Sequence, residues 1–171
     1  MKYKAEFIFD APEAMVWEAR EKRFEHPERF PELQKQELMD RKEEGDVIKQ
    51  KRKIELSASV PKALRTVLPA EMLKCIDESV YDRSKGTHHF VVKPNFKTDV
   101  FTCKGFSKYE EFEEGGKVKT RRYLELDVVV KVPIVGRKAE EVILDGYKKN
   151  VLRDNESIKE MVEMMKKEKG A

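Results

Sequence analysis

Few residues in this chain are equipped to do chemistry. His88 and His89 stand side by side in a strand-like run, and Cys75 and Cys103 are the two thiols. Adjacent residues in a strand face opposite sides, so two neighbouring histidines cannot easily share one metal ion. No Glu or Asp lies at a zincin-type spacing from them. A structural role is the plainer reading of the pair. A histidine that lined a pocket would instead hydrogen-bond a ligand carbonyl. The cysteines match no metal-binding spacing and are too few for a disulfide framework, so they read as reduced thiols. There is no Gly-rich phosphate loop, no Gly-x-Ser-x-Gly elbow and no Cys with a base at a recognisable spacing. Motifs therefore lead us to expect no metal site, no cofactor and no assigned catalytic residue.

A second group is defined by its placement. On a helical wheel of the C-terminal segment, Gly146, Asn150, Asp154 and Ser157 fall inside the apolar stripe. Burying an unpaired amide or carboxylate costs about 1–3 kcal/mol or more, so such residues need partners or a ligand. In the run from Val47 to Leu56, Gln50 and Arg52 share the face of Ile48 and Ile54, while Lys49, Lys51 and Lys53 take the other. Gln50, Arg52, Asn150 and Asp154 would then form the polar end of an otherwise apolar pocket, since ligand sites use few but well-placed polar groups. The alternatives are a structural Arg52–Asp154 ion pair or a strand register shifted by one residue.

The elements that must position these groups follow from periodicity. Tyr3, Ala5, Phe7 and Phe9 alternate with polar neighbours as a half-buried first strand. Asp10 is placed to cap a helix with Pro12 and Glu13 in its first turn, and that helix fades near Arg23. A hairpin turns at Glu43–Asp46. Val60 to Met72, with Pro61 and Pro69 around Ala63, Leu64, Val67 and Leu68, fits about two turns of amphipathic helix, a lid or a satellite of the core. Strands follow over 73–82, 87–93 and 100–112. The clearest strand places Leu124, Leu126, Val128, Val130 and Val132 on one face. A long helix then runs from Gly136 to about Lys167, with Met161, Met164 and Met165 as core filling. An antiparallel sheet of this length curls, and only the last helix is long enough to cover its inner face. The fold class is α+β, in a single domain spanning 1–171.

Composition narrows the partners. Lys+Arg number 36 against 33 Asp+Glu, a net charge of +3, with the signs interleaved along the chain. A nucleic-acid binder shows a concentrated basic excess instead. Charged residues make up 40% with only three Asn and three Gln, the balance seen in heat-adapted proteins. The lysine row of 49, 51 and 53 reads as a solvated face that guards an edge, or as a transient contact with an anionic membrane surface. No stretch approaches the roughly 18 apolar residues of a membrane span, and the expected location is the cytoplasm.

In its element order and in two motifs the chain resembles the START-like (SRPBCC, helix-grip) superfamily, in a poorly characterised bacterial branch. The motifs are Asp10-Ala11-Pro12-Glu13-Ala14-Met15-Val16-Trp17 at the first helix and Lys131-Val132-Pro133-Ile134-Val135-Gly136 before the last. The arrangement is also similar, more weakly, to PRELI-type lipid-transfer proteins. The resemblance implies a cavity between a curved sheet and the long helix, used for lipids, polyketides, hormones or quinones, with some relatives acting as enzymes. The expected function is binding or transfer of a hydrophobic small molecule or lipid. Phe7, Phe9, Ile54, Leu124, Leu126, Val128, Ile143 and Tyr147 would line the cavity, with Gln50, Arg52, His88, His89, Asn150 and Asp154 orienting the ligand. The alternatives are an enzyme of the same architecture, using His88 or His89 with Tyr123 or Asp154, and a protein-interaction module without ligand.

Overall fold

The computed structural model describes residues 1–55, 62–66, 70–95 and 100–170. Leu56, Val60, Pro61, Val67, Leu68 and Pro69 lie outside the described residues.

The chain begins with β1 (Lys2–Phe9) and α1 (Glu13–Lys22), which tightens into a 3-10 turn at Arg23–Glu25. A second 3-10 turn at Pro31–Lys35 leads into the hairpin β2 (Gln36–Glu44) and β3 (Val47–Glu55). After α2 (Lys62–Arg65) and a 3-10 turn at Ala70–Leu73 come β4 (Lys74–Asp82), β5 (Thr87–Pro94), β6 (Phe101–Glu114) and β7 (Lys117–Val130). The helix α3 (Gly136–Glu168) closes the chain with 33 residues. The strands form one seven-stranded antiparallel sheet in the order β1-β7-β6-β5-β4-β3-β2, a meander whose last strand returns to the first. This is the α+β helix-grip architecture.

The entry to α1 differs from the sequence expectation. The helix starts at Glu13 with Pro12 in the cap position at φ −61° and ψ 154°, and no side chain of its own segment caps it. The Glu13 amide instead donates to the Glu111 carboxylate of β6 at 2.8 Å. Asp10 is engaged elsewhere: the Lys166 ammonium donates to its carbonyl at 2.6 Å and lies 3.7 Å from its carboxylate. A distant carboxylate at the helix N-terminus does the electrostatic work expected of the local one. The last strand also ends two residues early, at Val130 and not Val132.

Registers set which side chains share the concave face. Ile48 pairs with Tyr81, Tyr81 with His88, His88 with Ser107 and Ser107 with Leu124. One row along, Gln50 pairs with Ser79, Ser79 with Phe90, Phe90 with Gly105 and Gly105 with Leu126. Arg52 pairs with Asp77, and Asp77 with Val92. Gly105 has a steric reason to be glycine, because a Cβ there would overlap the Phe90 ring lying over it.

α3 crosses this face and divides the interior. Its N-terminal half, through Ala139, Ile143 and Leu144, joins an apolar cluster with Val92, Cys103, Leu126 and Val128. Its C-terminal half, through Ile158, Met161 and Met165, joins a second cluster with Phe9, Trp17, Phe30 and Tyr109. Between these halves the helix presents Asp154, Asn155 and Ser157. Polar side chains cannot complete an apolar core, so the two clusters do not merge, and the gap between them is where the cavity lies.

Candidate functional site

The cavity has a volume of about 310 Å³, within the range of small-molecule sites. The inner faces of β3, β4 and β5, the end of α1 and the middle of α3 enclose it. Phe24, Leu33, Ile54, Phe90, Val92, Leu124 and Val151 give it apolar walls. Polar groups are more numerous than the sequence implied, and they form a connected cluster.

Asp154 is the centre of that cluster. The Arg23 guanidinium donates to its Oδ1 at 2.8 Å, Arg122 donates to its Oδ2 at 3.1 Å, and an Arg20 nitrogen lies 3.8 Å from Oδ2. Although burial raises the Asp154 pKa, the three guanidinium groups outweigh it and hold the carboxyl well below the usual carboxylate range. The arginines are fixed in turn by neutral oxygens. Arg20 donates to the Tyr109 hydroxyl at 2.7 Å and the Tyr81 hydroxyl at 3.2 Å, with its guanidinium over both rings. Arg23 donates to Ser157 Oγ at 2.6 Å. Arg122 donates to Ser107 Oγ and to Asn155 Oδ1, each at 3.2 Å.

A second polar group lies on the sheet. Asp77 faces Arg52 across the β3–β4 register, and its Oδ1 is buried with no hydrogen-bond partner. Burial raises its pKa from 3.8 to about 6, against the pull of Arg52 and Arg20. Arg52 approaches Gln50 Oε1 at 3.4 Å and rests over the Phe24 ring at 4.4 Å. Gln50 Nε2 is buried without a partner, and so are both ring nitrogens of His88. His88 stacks on Tyr81 with centroids 4.0 Å apart and planes within 5°. Burial first, then the positive charges of Arg20 and Arg122, hold its imidazole well below 6.5, so it is neutral.

Of the residues expected at the site, Gln50, Arg52, Ile54, His88, Leu124, Tyr147, Asn150 and Asp154 line the cavity. The register in which Gln50 and Arg52 face inward is the one the structure shows, with Gln50 6% exposed. The alternative Arg52–Asp154 pair is replaced by Arg52 opposite Asp77 and Asp154 among Arg20, Arg23 and Arg122. His89 points to the other side of the sheet and packs on Phe106 at 4.8 Å, because it follows His88 in a strand. Leu126, Val128 and Ile143 are packed in the first apolar cluster, Phe9 in the second, and Phe7 against both. Depth of packing, which alternation does not encode, removes these five from the cavity lining.

The sequence reading missed Arg20, Arg23 and Arg122. Arg122 had a signal, since it shares the parity of Leu124 and Leu126 on β7 and is 3% exposed. Arg20 sits three residues after Trp17, on the buried face of α1. Arg23 follows in the 3-10 turn and had no such local mark.

Comparison with known proteins agrees with the architecture. Residues 5–162 match the family described as Protein of unknown function (DUF2505). No curated protein matches the chain significantly. TTHA0849 from Thermus thermophilus superposes with a TM-score of 0.60 at 19% identity, covering 96% of this chain and 99% of that one. The Zhui aromatase/cyclase from Streptomyces sp. R1128 gives 0.61 at 13%, covering 95% and 93%. Ara h 8.0201 gives 0.56 at 15%, covering 95% and 97%. At these identities the likeness is one of fold. No helix among the described residues is long and apolar enough to cross a membrane.

Proposed function

We propose that this chain, which belongs to the DUF2505 family of proteins of unknown function, reversibly holds an apolar small molecule or lipid bearing a polar end, in the cavity beneath α3. The observation that carries the reading is the set of buried polar atoms without protein partners around one 310 Å³ cavity: Gln50 Nε2, Asp77 Oδ1 and both nitrogens of His88. Each such atom costs about 1–3 kcal/mol when left unpaired. A bound molecule that offers donors to Asp77, and an acceptor and a donor to Gln50 and His88, recovers that cost. The apolar walls supply affinity in proportion to the area covered, at about 25 cal/mol per Å² before the costs of association. Delivery of the ligand to another site, which the PRELI-type resemblance implies, belongs to the same proposal.

The test is a fluorescence titration with the neutral apolar probe N-phenyl-1-naphthylamine, on the native chain and on Ser79→Trp. Ser79 is 5% exposed and lines the cavity between Gln50 and Phe90, so an indole there fills it. Saturable one-site binding that the filled variant loses, with its circular dichroism unchanged, supports the reading. Absence of saturable binding, or equal binding by the filled variant, overturns it.

A second reading is an enzyme of the same architecture, and one observation favours it. An Asp77 whose pKa is raised to about 6 lines the cavity together with a neutral His88, so a carboxyl able to exchange a proton near neutral pH stands beside an uncharged imidazole. His89 and Tyr123 have no part in it, since both lie on the outer face. His88→Asn separates the readings: binding alone tolerates it with a modest change in affinity, while turnover falls by orders of magnitude.

A further inference from the structure

The charges around the cavity do not balance where it is deepest. Arg20, Arg23 and Arg122 are 7%, 3% and 3% exposed and converge on a single carboxylate, Asp154. Three guanidinium groups against one carboxylate leave two positive charges uncompensated. The other oxygens bound to these arginines, from Tyr81, Tyr109, Ser107, Ser157 and Asn155, are neutral. The other charged residues lining the cavity cancel in number, Lys35, Arg52 and Arg153 against Glu21, Glu55 and Asp77. The surplus therefore belongs to the arginine cluster. Arginine cannot relieve it by losing a proton, and burying uncompensated charge is costly.

The donor inventory gives the same direction. Arg23 and Arg122 satisfy their described partners through Nε and Nη1 alone. Among the described residues, no acceptor meets the Nη2 group of either. Both side chains line the same cavity, and they hold opposite oxygens of the one carboxylate, Asp154. Planar oxyanions are the acceptors that such guanidinium forks match in both charge and geometry.

We infer that the polar end of the ligand is a carboxylate or a similar oxyanion, seated on Arg23 and Arg122, with the apolar body against Ile54, Phe90 and Leu124. The inference rests on the ligand-holding function above and adds the chemical class of the head group. An amphipathic acid fits this floor, whereas the corresponding alcohol, ester or hydrocarbon leaves both positive charges unmet.

The experiment compares two probes with the same aromatic skeleton, neutral N-phenyl-1-naphthylamine and its sulfonated counterpart 8-anilinonaphthalene-1-sulfonate. The readout is the ratio of their affinities for the native chain and for Arg122→Gln. We expect the sulfonated probe to bind at least about tenfold tighter to the native chain, and that ratio to collapse towards one in the variant. Equal affinities in the native chain overturn the inference while leaving the ligand-holding function standing. If neither probe binds, both fall. Should Arg122→Gln not fold, displacement of the neutral probe from the native chain by decanoate and by decanol decides the matter. Preferential displacement by the acid supports the oxyanion site, and parity between the two overturns it.

Discussion

Replacing Asp77 by Asn should make the protein more stable above neutral pH, although it removes the group facing Arg52. The Asp77 pKa is raised from 3.8 to about 6, chiefly by burial, with Arg52 and Arg20 only partly opposing it. Two units correspond to about 3 kcal/mol of differential cost to the ionised form. The sign follows from proton counting. Between pH 3.8 and 6 the folded chain binds more protons at this site than the unfolded chain, so stability falls as pH rises through that window. Above pH 6 the full penalty persists, and below pH 3.8 it vanishes. Asn removes the penalty, since the amide carries no charge to bury. Arg52 loses its counter-charge but remains half-exposed over Phe24, where water screens it, which trims the gain to about 1–3 kcal/mol. For a chain of this length that is an increase in Tm of about 3–8 °C at pH 8. Thermal melts of both proteins from pH 4 to pH 8 give the answer as a difference, so groups common to both cancel. The two curves should converge near pH 4 and separate through pH 6. A variant that melts below the native chain at pH 8, or a gap independent of pH, would refute the assignment of Asp77 as a buried and poorly compensated carboxylate.

Asp154→Asn should act in the opposite sense. It strips the shared carboxylate from three buried arginines, and urea unfolding should show a loss of about 3–5 kcal/mol; a loss under about 1 kcal/mol would mean that the cluster is hydrated and not compensated by Asp154. Because the folded pKa of Asp154 is depressed, its contribution is present above about pH 4 and is lost as the pH falls further. Gly105→Ala should cost about 1–3 kcal/mol by pushing the Phe90 ring off the β5–β6 pair. Since Phe90 also lines the cavity, the same variant should change the affinity for N-phenyl-1-naphthylamine, and a variant normal in both melting and binding would show that Phe90 relaxes freely.

Much of this arrangement was legible because strands have a period of two. The alternation in 47–55 placed Gln50 and Arg52 inward, and the structure has them there. The same rule applied to β7 reaches Arg122 two residues before Leu124, but it stops short if the strand is read only from its aliphatic run. A basic residue ending an apolar face is easily read as a long side chain reaching for solvent. What makes Arg122 buried is not local. Its partner Asp154 lies 32 residues away, and Arg23 meets the same carboxylate across 131 residues. Those contacts exist only once α1, β7 and α3 have closed on one another. For the same reason Phe9, Leu126, Val128 and Ile143 were assigned the right face but the wrong depth. Alternation gives the side a residue faces, whereas distance from the polar middle of α3 decides whether it packs in a cluster or borders the cavity.

That polar middle also bears on why the cavity persists. An interior built only for stability would replace Asp154 and its arginines with apolar residues, a change that is often neutral or stabilising for buried ion clusters. It would then join the two apolar clusters into one core. The chain instead keeps four polar atoms of Gln50, Asp77 and His88 buried and unpartnered, keeps a carboxylate at a raised pKa, and keeps an excess of buried positive charge. Each feature lowers the stability of the empty protein, and all line the same cavity. Stability alone predicts that repairing them is harmless. A binding site predicts a trade, in which Asp77→Asn stabilises the chain while weakening whatever ligand donates to that carboxylate, so measuring melting and binding on the same variant separates the two explanations.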